Sequence, residues 1–471
     1  MVLVQNTHEI LNPADRKVKG NGAELVLHLL ARELIRAERG DILMTGEDVD
    51  PTFLGHMENL LGYPSRRFEL RHAPGTVGAQ DVVQAFTRAM QSGIIQEGMP
   101  VDPYIQTPGM FHDITSLSLI PAFTKFREGV ATLERLGNKR YFRDICTNFG
   151  LPTPLTYYAD LTPTNNKERE QGVTQALSQA LKLGSSIIIQ EATSGGGVGT
   201  YIFMRQEDGR FSSQQINDGT AMKEDELKIC VQQLAATAHT HQVTDLLIAQ
   251  FIPNNFSPSI NCFLDGEDVT LYGFARQISD PNSLACVGLF WPTNDPCLKD
   301  LEETIKSEWK ILINEVRSLG KNKIRSQLGF DLIIYEENGE FKHAWIECNA
   351  RRTALTPYLT AMSLLYPGIL DRKTLKGLSI VDKNIHIPNP MITHVVLGDD
   401  HIHVPKIATN TDQTLKWMNS LGIQIFHPDK MPEGFVPIVP LNTHIRQIAG
   451  VFIGLDRERV TEAWKKTKTS F

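Results

Sequence analysis

The strongest local constraint on the fold is a pair of short apolar segments, residues 330–335 and 343–348, joined through an Asn-Gly pair at 338–339. An Asn-Gly pair between two strand-like segments signals a tight β-hairpin, because both residues tolerate the positive φ angles that such a turn needs. Folding the chain back at this turn brings Asp331 opposite Glu347. The sequence therefore predicts an antiparallel hairpin with two carboxylates facing each other across it.

Asn349 adds a third oxygen-bearing side chain to this pair. It lies two positions after Glu347, so both side chains point to the same face of the strand. Two carboxylates and an amide oxygen suit Mg²⁺, a hard ion that prefers oxygen ligands and shares them with substrate phosphates. A solvated hairpin face is the alternative, although the apolar neighbours indicate burial, where an unpaired carboxylate is costly. The predicted metal ligands are Asp331, Glu347 and Asn349.

A glycine-rich loop, residues 194–200, directly follows an apolar strand predicted over 185–190. Glycines let backbone N–H groups approach and wrap an anionic phosphate without Cβ clashes. The loop is not a Walker A motif, because no Gly-Lys-Ser or Gly-Lys-Thr closes it, and the spacing of its glycines does not fit a dinucleotide fingerprint. A plain hairpin turn stays open as the alternative interpretation.

Three arginines stand where an anion could bind. Arg351 and Arg352 directly follow the predicted metal ligands, and a guanidinium can orient a phosphate or carboxylate through two parallel hydrogen bonds. Arg276 interrupts an otherwise apolar strand predicted over 269–278. Surface salt bridges for the first two, and a structural ion pair for the third, are equally open interpretations.

Composition excludes several classes of protein. The chain has 471 residues, enough for about two to four domains. Its 47 Lys and Arg against 54 Asp and Glu give a net charge of −7, which argues against a basic nucleic-acid binder. Six scattered cysteines form no CxxC pair, so neither a zinc ribbon nor a disulfide scaffold is expected. No apolar stretch approaches the ~18 residues that cross a bilayer, so we expect a soluble cytoplasmic protein.

The order of predicted helices and strands divides the chain into three regions. In residues 1–125, helices, including a leucine-rich one at 23–38, alternate with short apolar strands, which predicts an α/β layer. Residues 126–385 carry the hairpin and the glycine loop, with the loop-bearing lobe at about 150–250 and a helix predicted at 172–182. Residues 386–471 mix short strands and helices, among them a helix predicted at 411–420, as in a small α+β domain.

Together, the glycine loop, the strand predicted over 246–252 and the late Asp…Glu-x-Asn-x-Arg pattern resemble the ATP-grasp fold across residues 126–385. The preceding region resembles a pre-ATP-grasp domain, most like that of the peptide ligases that include the pheganomycin ligase. The resemblance implies that two β-sheet lobes hold ATP between them. It implies a phosphate contact by Lys139, a lid formed by Ser194, Gly195, Gly196, Gly197 and Gly199, adenine pairing by the backbone of Gln250 and Ile252, Mg²⁺ binding by Asp331, Glu347 and Asn349, and phosphoryl contacts by Arg351 and Arg276.

Two residues depart from the family pattern. Gln190 stands where the family has a second nucleotide-binding lysine, and Ala249 stands where the hinge has a glutamate. Gln190 can donate hydrogen bonds but brings no charge, so the lost contact could cost roughly 1.5–3 kcal/mol. We expect either that another cation compensates, with Lys182 and Arg276 as candidates, or that ATP binds weakly.

The resemblance implies an ATP-dependent carboxylate–amine ligase that forms an amide through an acylphosphate, with an amino acid or a small peptide as substrate. ATP and Mg²⁺ are the expected cofactors, with Mn²⁺ as an alternative metal. A homodimer is expected from the superfamily, and neither a nucleic acid nor a membrane is an expected partner. An ATP-grasp kinase, a carboxylate–thiol ligase and a catalytically degenerate ATP-binding protein share the same residues and stay open.

Overall fold

The computed structural model describes residues 1–4, 41–45, 49–60, 69–72, 79–103, 105–193, 199–217, 219–240, 242–253, 256–279, 286–291, 293, 295–353, 355–356, 359–360, 391–394, 402–427, 433–442, 447–453 and 457–469. The helix predicted at 23–38 lies outside these residues. None of the helices within them combines the length and the apolar composition that crossing a bilayer requires.

The N-terminal part of the chain forms a parallel sheet with helices. Its strands are β1 Val2–Val4, β2 Ile42–Thr45, β3 Glu69–His72, β4 Pro100–Pro103 and β5 Ile120–Pro121. Its helices are α1 Pro51–Leu60, α2 Ala79–Gln91 and α3 Pro108–Ser116. The strand order is β3-β2-β1-β4-β5, and all four pairings are parallel. Parallel neighbours need crossover connections, so the predicted α/β layer is confirmed.

The next part of the chain builds a smaller antiparallel sheet. Two helices, α4 Arg127–Leu136 and α5 Lys139–Asn148, precede it. The strands are β6 Thr156–Asp160, β7 Ile187–Glu191, β8 Thr200–Arg205, β9 Phe211–Ser212 and β10 Asp245–Gln250, and the helices are α6 Asn166–Leu181, α7 Gln214–Asn217 and α8 Glu224–Thr240. The order is β6-β10-β7-β8-β9. Alternate residues such as Ile187, Ile189 and Ile248 enter the core beneath the helices, which leaves the other face for a site.

The remaining strands form one large antiparallel sheet. They are β11 Pro258–Asp265, β12 Asp268–Ser279, β13 Cys286–Trp291, β14 Arg325–Glu337, β15 Glu340–Asn349, β16 Met391–His394, β17 Ile402–His403, β18 Gly434–Asn442 and β19 Gln447–Ile453. The helices are α9 Pro296–Lys299, α10 Glu302–Leu319, α11 Thr411–Ser420 and α12 Arg457–Thr469. The order is β15-β14-β11-β12-β13-β16-β19-β17, with β18 beside β19. Strands from the predicted unit 386–471 thus extend this sheet, and the predicted domain boundaries stay predictions.

The turn between β14 and β15 has the conformation that the Asn-Gly pair predicts. Asn338 and Gly339 both adopt left-handed angles, with φ of 55° and 82°. Two successive positive φ angles match the right-handed twist of the flanking strands. The hairpin is longer than predicted, with strands of 13 and 10 residues.

Helix α5 joins the two antiparallel sheets. Its first turn is closed by Asn138, whose side-chain oxygen accepts a hydrogen bond from the Tyr141 N–H at 3.2 Å. Phe142 and Cys146 pack into the core of the large sheet. The polar side of the same helix is therefore left for the space between the sheets.

One carboxylate links the N-terminal and C-terminal parts of the chain. Asp50 Oδ1 accepts from the Thr52 N–H at 2.9 Å in the first turn of α1, and Asp50 Oδ2 accepts from the Thr411 N–H at 2.6 Å at the start of α11. Asp50 thus caps two helices, although Thr411 lies 361 positions after it in sequence.

Candidate active site

Strand pairing brings the predicted metal ligands together. Asp331 of β14 lies directly opposite Glu347 of β15, and Gly329 lies opposite Asn349. Directly opposed residues and residues two apart share a face, so Asp331, Glu347 and Asn349 point the same way. A bulge follows Asp331, because Leu332 pairs with Trp345 and leaves Ile346 as the extra residue.

The Asp331 carboxylate is held by two amide side chains. Asn349 Nδ2 donates to Asp331 Oδ2 at 2.8 Å, and the Gln277 side chain from β12 also hydrogen-bonds to Asp331. Burial, and next the negative charge of Glu347, raise the pKa of Asp331 to about 7, although these hydrogen bonds and the charge of Arg351 oppose the shift. Because Asp331 and Glu347 lie directly opposite each other on paired strands, the two carboxylates together attract a cation.

Lys139 supplies one positive charge to this pair. It begins helix α5, its side chain is 5% exposed, and its Nζ lies 3.2 Å from Glu347 Oε2. Burial raises the pKa of Glu347, but the charges of Lys139 and Arg351 outweigh it and hold that pKa below its ordinary value. The contact ties the start of α5 to the edge strand of the large sheet.

The consecutive arginines serve different parts of the molecule. Arg351 lies within electrostatic range of both Asp331 and Glu347. Arg352 is buried, forms an ion pair with Asp102 of β4, donates to the Pro103 carbonyl at 3.3 Å and lies 4.7 Å from the ring of Phe123. Arg351 thus belongs to the site, whereas Arg352 fastens the large sheet to the N-terminal sheet.

Gln190, for which the sequence resemblance predicts the position of a lysine, is engaged by a buried arginine. Ile189 enters the core of the small sheet, so its neighbour Gln190 lies on the opposite face, towards α5. Arg143 Nη2 donates to Gln190 Oε1 at 2.8 Å. The same guanidinium donates to Thr156 Oγ1 at 2.9 Å and to the carbonyl of Ile346 at 3.3 Å.

Sequence reasoning missed Arg143, although a signal was present. It follows Lys139 by four positions, so the two lie on one side of α5. The candidates named instead lie elsewhere: Lys182 is exposed at the end of α6, and Arg276 Nη1 pairs with Asp295 Oδ2 at 2.6 Å. Among the described contacts of Gln190, the cation is Arg143 and neither of those two.

Arg276 is not brought to the carboxylates. Ser259 of β11 lies opposite both Asp331 and Ala275, so these three share a face and Arg276 lies on the other. Its guanidinium lies 5.1 Å from the ring of Phe256, which belongs to the core on that other face. A catalytic role for Arg276 stays a prediction that the described contacts do not support.

The glycine loop begins and ends beside this site. The Lys139 N–H donates to the Ala192 carbonyl at 2.8 Å, so the loop leaves β7 at the start of α5. Gly199 returns with φ of 65°, and a Cβ there would lie 2.4 Å from Cδ of Glu191. The position therefore requires glycine. The other predicted lid residues lie outside the described residues: Ser194, Gly195, Gly196 and Gly197.

The predicted hinge follows β10. The Gln250 N–H donates to the Leu155 carbonyl at 3.1 Å, and the Phe251 N–H donates to the Ser186 carbonyl at 2.8 Å. The sheet therefore uses the amide of Gln250, and the half-buried Ile252 lies just beyond it. Adenine pairing by the backbone of Gln250 and Ile252 stays a prediction.

The donor set at the hairpin fits a magnesium ion. Among the described residues, no group of three or more His, Cys, Asp or Glu side chains is arranged to hold a metal. The strand register instead brings two carboxylates and one amide together. Asp331, Glu347 and Asn349 offer hard oxygen donors, which Mg²⁺ prefers and commonly shares with phosphate oxygens.

Comparison with protein-family models and with curated protein sequences finds no match. Comparison with solved structures finds similarity along almost the whole chain. The biotin carboxylase domain of the Hydrogenobacter thermophilus 2-oxoglutarate carboxylase, solved with MgADP and bicarbonate, matches over 94% of this chain and 88% of that chain, with 11% identity and a TM-score of 0.58. The ADP complex of N5-carboxyaminoimidazole ribonucleotide synthetase matches over 99% and 95%, with 12% identity and a TM-score of 0.53.

An L-amino acid ligase from Bacillus licheniformis matches over 92% of this chain and 98% of that chain, with 13% identity and a TM-score of 0.50. These similarities establish the ATP-grasp fold for this chain, as the sequence motifs predicted. The finer resemblance to ligases of the pheganomycin type stays a prediction.

Proposed function

We propose that this protein is an ATP-dependent ligase that joins a carboxylate to an amine through an acylphosphate. The observation that carries the proposal is the meeting of Asp331, Glu347 and Lys139 where the two antiparallel sheets approach each other. Two carboxylates under a positive charge are what a metal–triphosphate complex needs. The fold is shared with an L-amino acid ligase, whose name states an amide-forming reaction.

The residues of the site divide between metal and phosphate. Asp331, Glu347 and Asn349 would hold Mg²⁺, or Mn²⁺ in its place, and the metal would neutralise charge on the phosphate oxygens. Lys139 and Arg351 stand beside these carboxylates and would steady the transferring phosphoryl group. Solved relatives of this fold carry MgADP and ADP, which supports ATP as the nucleotide.

The proposed reaction has two steps and needs no nucleophilic side chain. A carboxylate oxygen of the substrate attacks the γ-phosphorus, the bond to ADP breaks, and an acylphosphate forms. An amine then attacks the acyl carbon, phosphate leaves with the bonding electrons, and the nitrogen loses a proton. Positioning and charge stabilisation supply the rate enhancement. The glycine loop would cover the acylphosphate, since water hydrolyses it.

The substrates we propose are an amino acid or a small peptide as carboxylate and a second small molecule as amine. To test this, the purified protein is given Mg·ATP with a broad panel of such compounds, and ADP, phosphate and the condensed product are measured. We expect release of ADP and phosphate only when both substrates are present. The absence of substrate-dependent release across the panel would contradict the proposal.

A pair of variants on one strand sharpens this test. We expect Glu347→Gln to lower turnover on the order of 100-fold, because the metal loses a charged ligand. Glu340→Gln, an equivalent change at the exposed far end of β15, should leave turnover unchanged. Equal activity of the two variants would remove the hairpin carboxylates from the mechanism.

A second candidate function is nucleotide binding without catalysis. Gln190 and Ala249, at the positions of a family lysine and glutamate, favour it. It predicts ATP binding with no substrate-dependent ADP release. A kinase or a carboxylate–thiol ligase would release ADP but yield a phosphorylated product or a thioester, which mass spectrometry distinguishes from an amide. A homodimer also stays a prediction, to be checked by light scattering.

A further inference from the structure

Arg143 is a fully buried cation with neutral hydrogen-bond partners. Its side chain spans three elements, donating to Ile346 of β15, Thr156 of β6 and Gln190 of β7. Only 2% of the residue is exposed. Burying a guanidinium against neutral acceptors is unfavourable unless an anion stands nearby, and burial accordingly lowers its pKa.

The carboxylate that acts electrostatically on Arg143 belongs to the site. Glu347 lies within electrostatic range of Arg143, but its Oε2 is bound to Lys139. Arg143 and Lys139 stand one helical turn apart on α5, between the two antiparallel sheets. Two buried cations thus lie on α5 beside the predicted metal site and beside the end of β7, from which the chain enters the glycine loop.

The hydrogen bond from Arg143 also orients the amide of Gln190. Because Gln190 Oε1 accepts from the guanidinium, its Nε2 points away from Arg143. Gln190 lies on the face of β7 opposite the core, one residue before the strand ends at Glu191 and the chain enters the glycine loop. The amide therefore offers donors on the side of the sheet where a nucleotide would lie.

We propose that Arg143 and Gln190 together replace the missing lysine: Gln190 Nε2 donates to a phosphate oxygen of the nucleotide, and Arg143 holds that amide in place and supplies the positive charge. Arg143 is thus a positioning residue. This inference rests on the proposed nucleotide site, but it concerns how phosphate is recognised rather than which reaction follows.

The arrangement makes a specific demand on position 190. A lysine there would put an ammonium group against the Arg143 guanidinium, and like charges at hydrogen-bond distance repel. Gln190→Lys should therefore weaken triphosphate binding in the native background. The same lysine should restore binding once Arg143 is replaced by glutamine. In that double variant the site again has one positive charge, which is now carried by residue 190 instead of residue 143.

The test compares the affinity of Mg·AMP-PNP with that of adenosine by isothermal titration calorimetry. Arg143→Gln and Gln190→Met should each weaken Mg·AMP-PNP about tenfold or more and adenosine less than about twofold, as expected for a hydrogen bond to a charged group. The double variant Arg143→Gln with Gln190→Lys should recover to within about threefold of the wild type. A general structural defect would weaken both ligands and would not be rescued.

Arg140→Gln is the matched control. It removes the same charge from the same helix, but Arg140 pairs with Asp245 and has no described contact with Gln190, so the affinity ratio should not change. If Arg143→Gln fails to fold, Gln190→Met decides the matter. If the wild type binds Mg·AMP-PNP but the Arg143 and Gln190 variants keep its ratio of Mg·AMP-PNP affinity to adenosine affinity, this inference alone is overturned. A wild type that binds no nucleotide overturns the proposed function as well.

Discussion

Asp331 offers a test in which stability and function move in opposite directions. Replacing it with asparagine removes a half-buried negative charge next to Glu347 and keeps an oxygen that can accept from Asn349. Under the proposed function, this carboxylate would bind a metal rather than stabilise the apoprotein. We therefore expect Asp331→Asn to make the metal-free protein more stable while it abolishes Mg²⁺-dependent turnover.

The size of the effect follows from the pKa. Burial, and next the charge of Glu347, raise the pKa of Asp331 from 3.8 to about 7. The pKa of the Asp331 carboxyl group is higher in the folded protein than in the unfolded one. Its contribution to the stability of the folded protein is therefore fully present below about pH 4 and is lost as the pH rises to about 7. The difference corresponds to about 4 kcal/mol above pH 7 as an upper limit. The Glu347 side chain is 25% exposed, so water screens the repulsion between Asp331 and Glu347. We therefore expect roughly half of that free-energy difference.

Thermal unfolding in EDTA between pH 5 and pH 8 measures this difference. At pH 8 the variant should melt roughly 2 °C above the wild type, because a chain of 471 residues has a large unfolding entropy, and the gap should shrink towards pH 5. Added Mg²⁺ should raise the melting temperature of the wild type only. Glu336→Gln, an exposed change on the same strand, should show no such pH dependence. A variant that melts below the wild type at every pH would refute the reasoning.

Two further predictions concern the predicted lid and the contact between Asp50 and Thr411. Gly199→Ala should lower ATP turnover about tenfold, because alanine resists the left-handed angle and meets Glu191, and Glu191→Ala should restore part of it. Asp50→Ala should lower the melting temperature at pH 7 by the equivalent of about 1–2 kcal/mol, since it removes a shared cap. Burial raises the pKa of Asp50, but hydrogen bonds from Thr411 and Thr52 outweigh it, so the effect should fade below about pH 4. An unchanged melting temperature at pH 7 would contradict the second prediction, and full activity of the alanine variant the first.

Short-range features were predictable because neighbouring residues decide them. The helix predicted at 411–420 has those bounds, and the one predicted at 172–182 begins earlier, at Asn166, where polar residues hide the apolar period. The strand predicted at 246–252 stops at Gln250, because the chain leaves the sheet there. Such differences of a few residues follow from tertiary contacts that local patterns do not carry.

The facing carboxylates of the hairpin could be read from the printed residues, since an Asn-Gly turn sets the register and the register sets the partners. The contact between Arg143 and Gln190 joins residues 47 positions apart on different elements, and it exists only because α5 packs between two sheets. Arg276 shows the same difference between residue type and tertiary position. An arginine side chain can bind a phosphate, but the position of Arg276 on its strand places it on the sheet face opposite Asp331. Local conformation is a property of adjacent residues, whereas the surroundings of a buried charge depend on how distant elements pack.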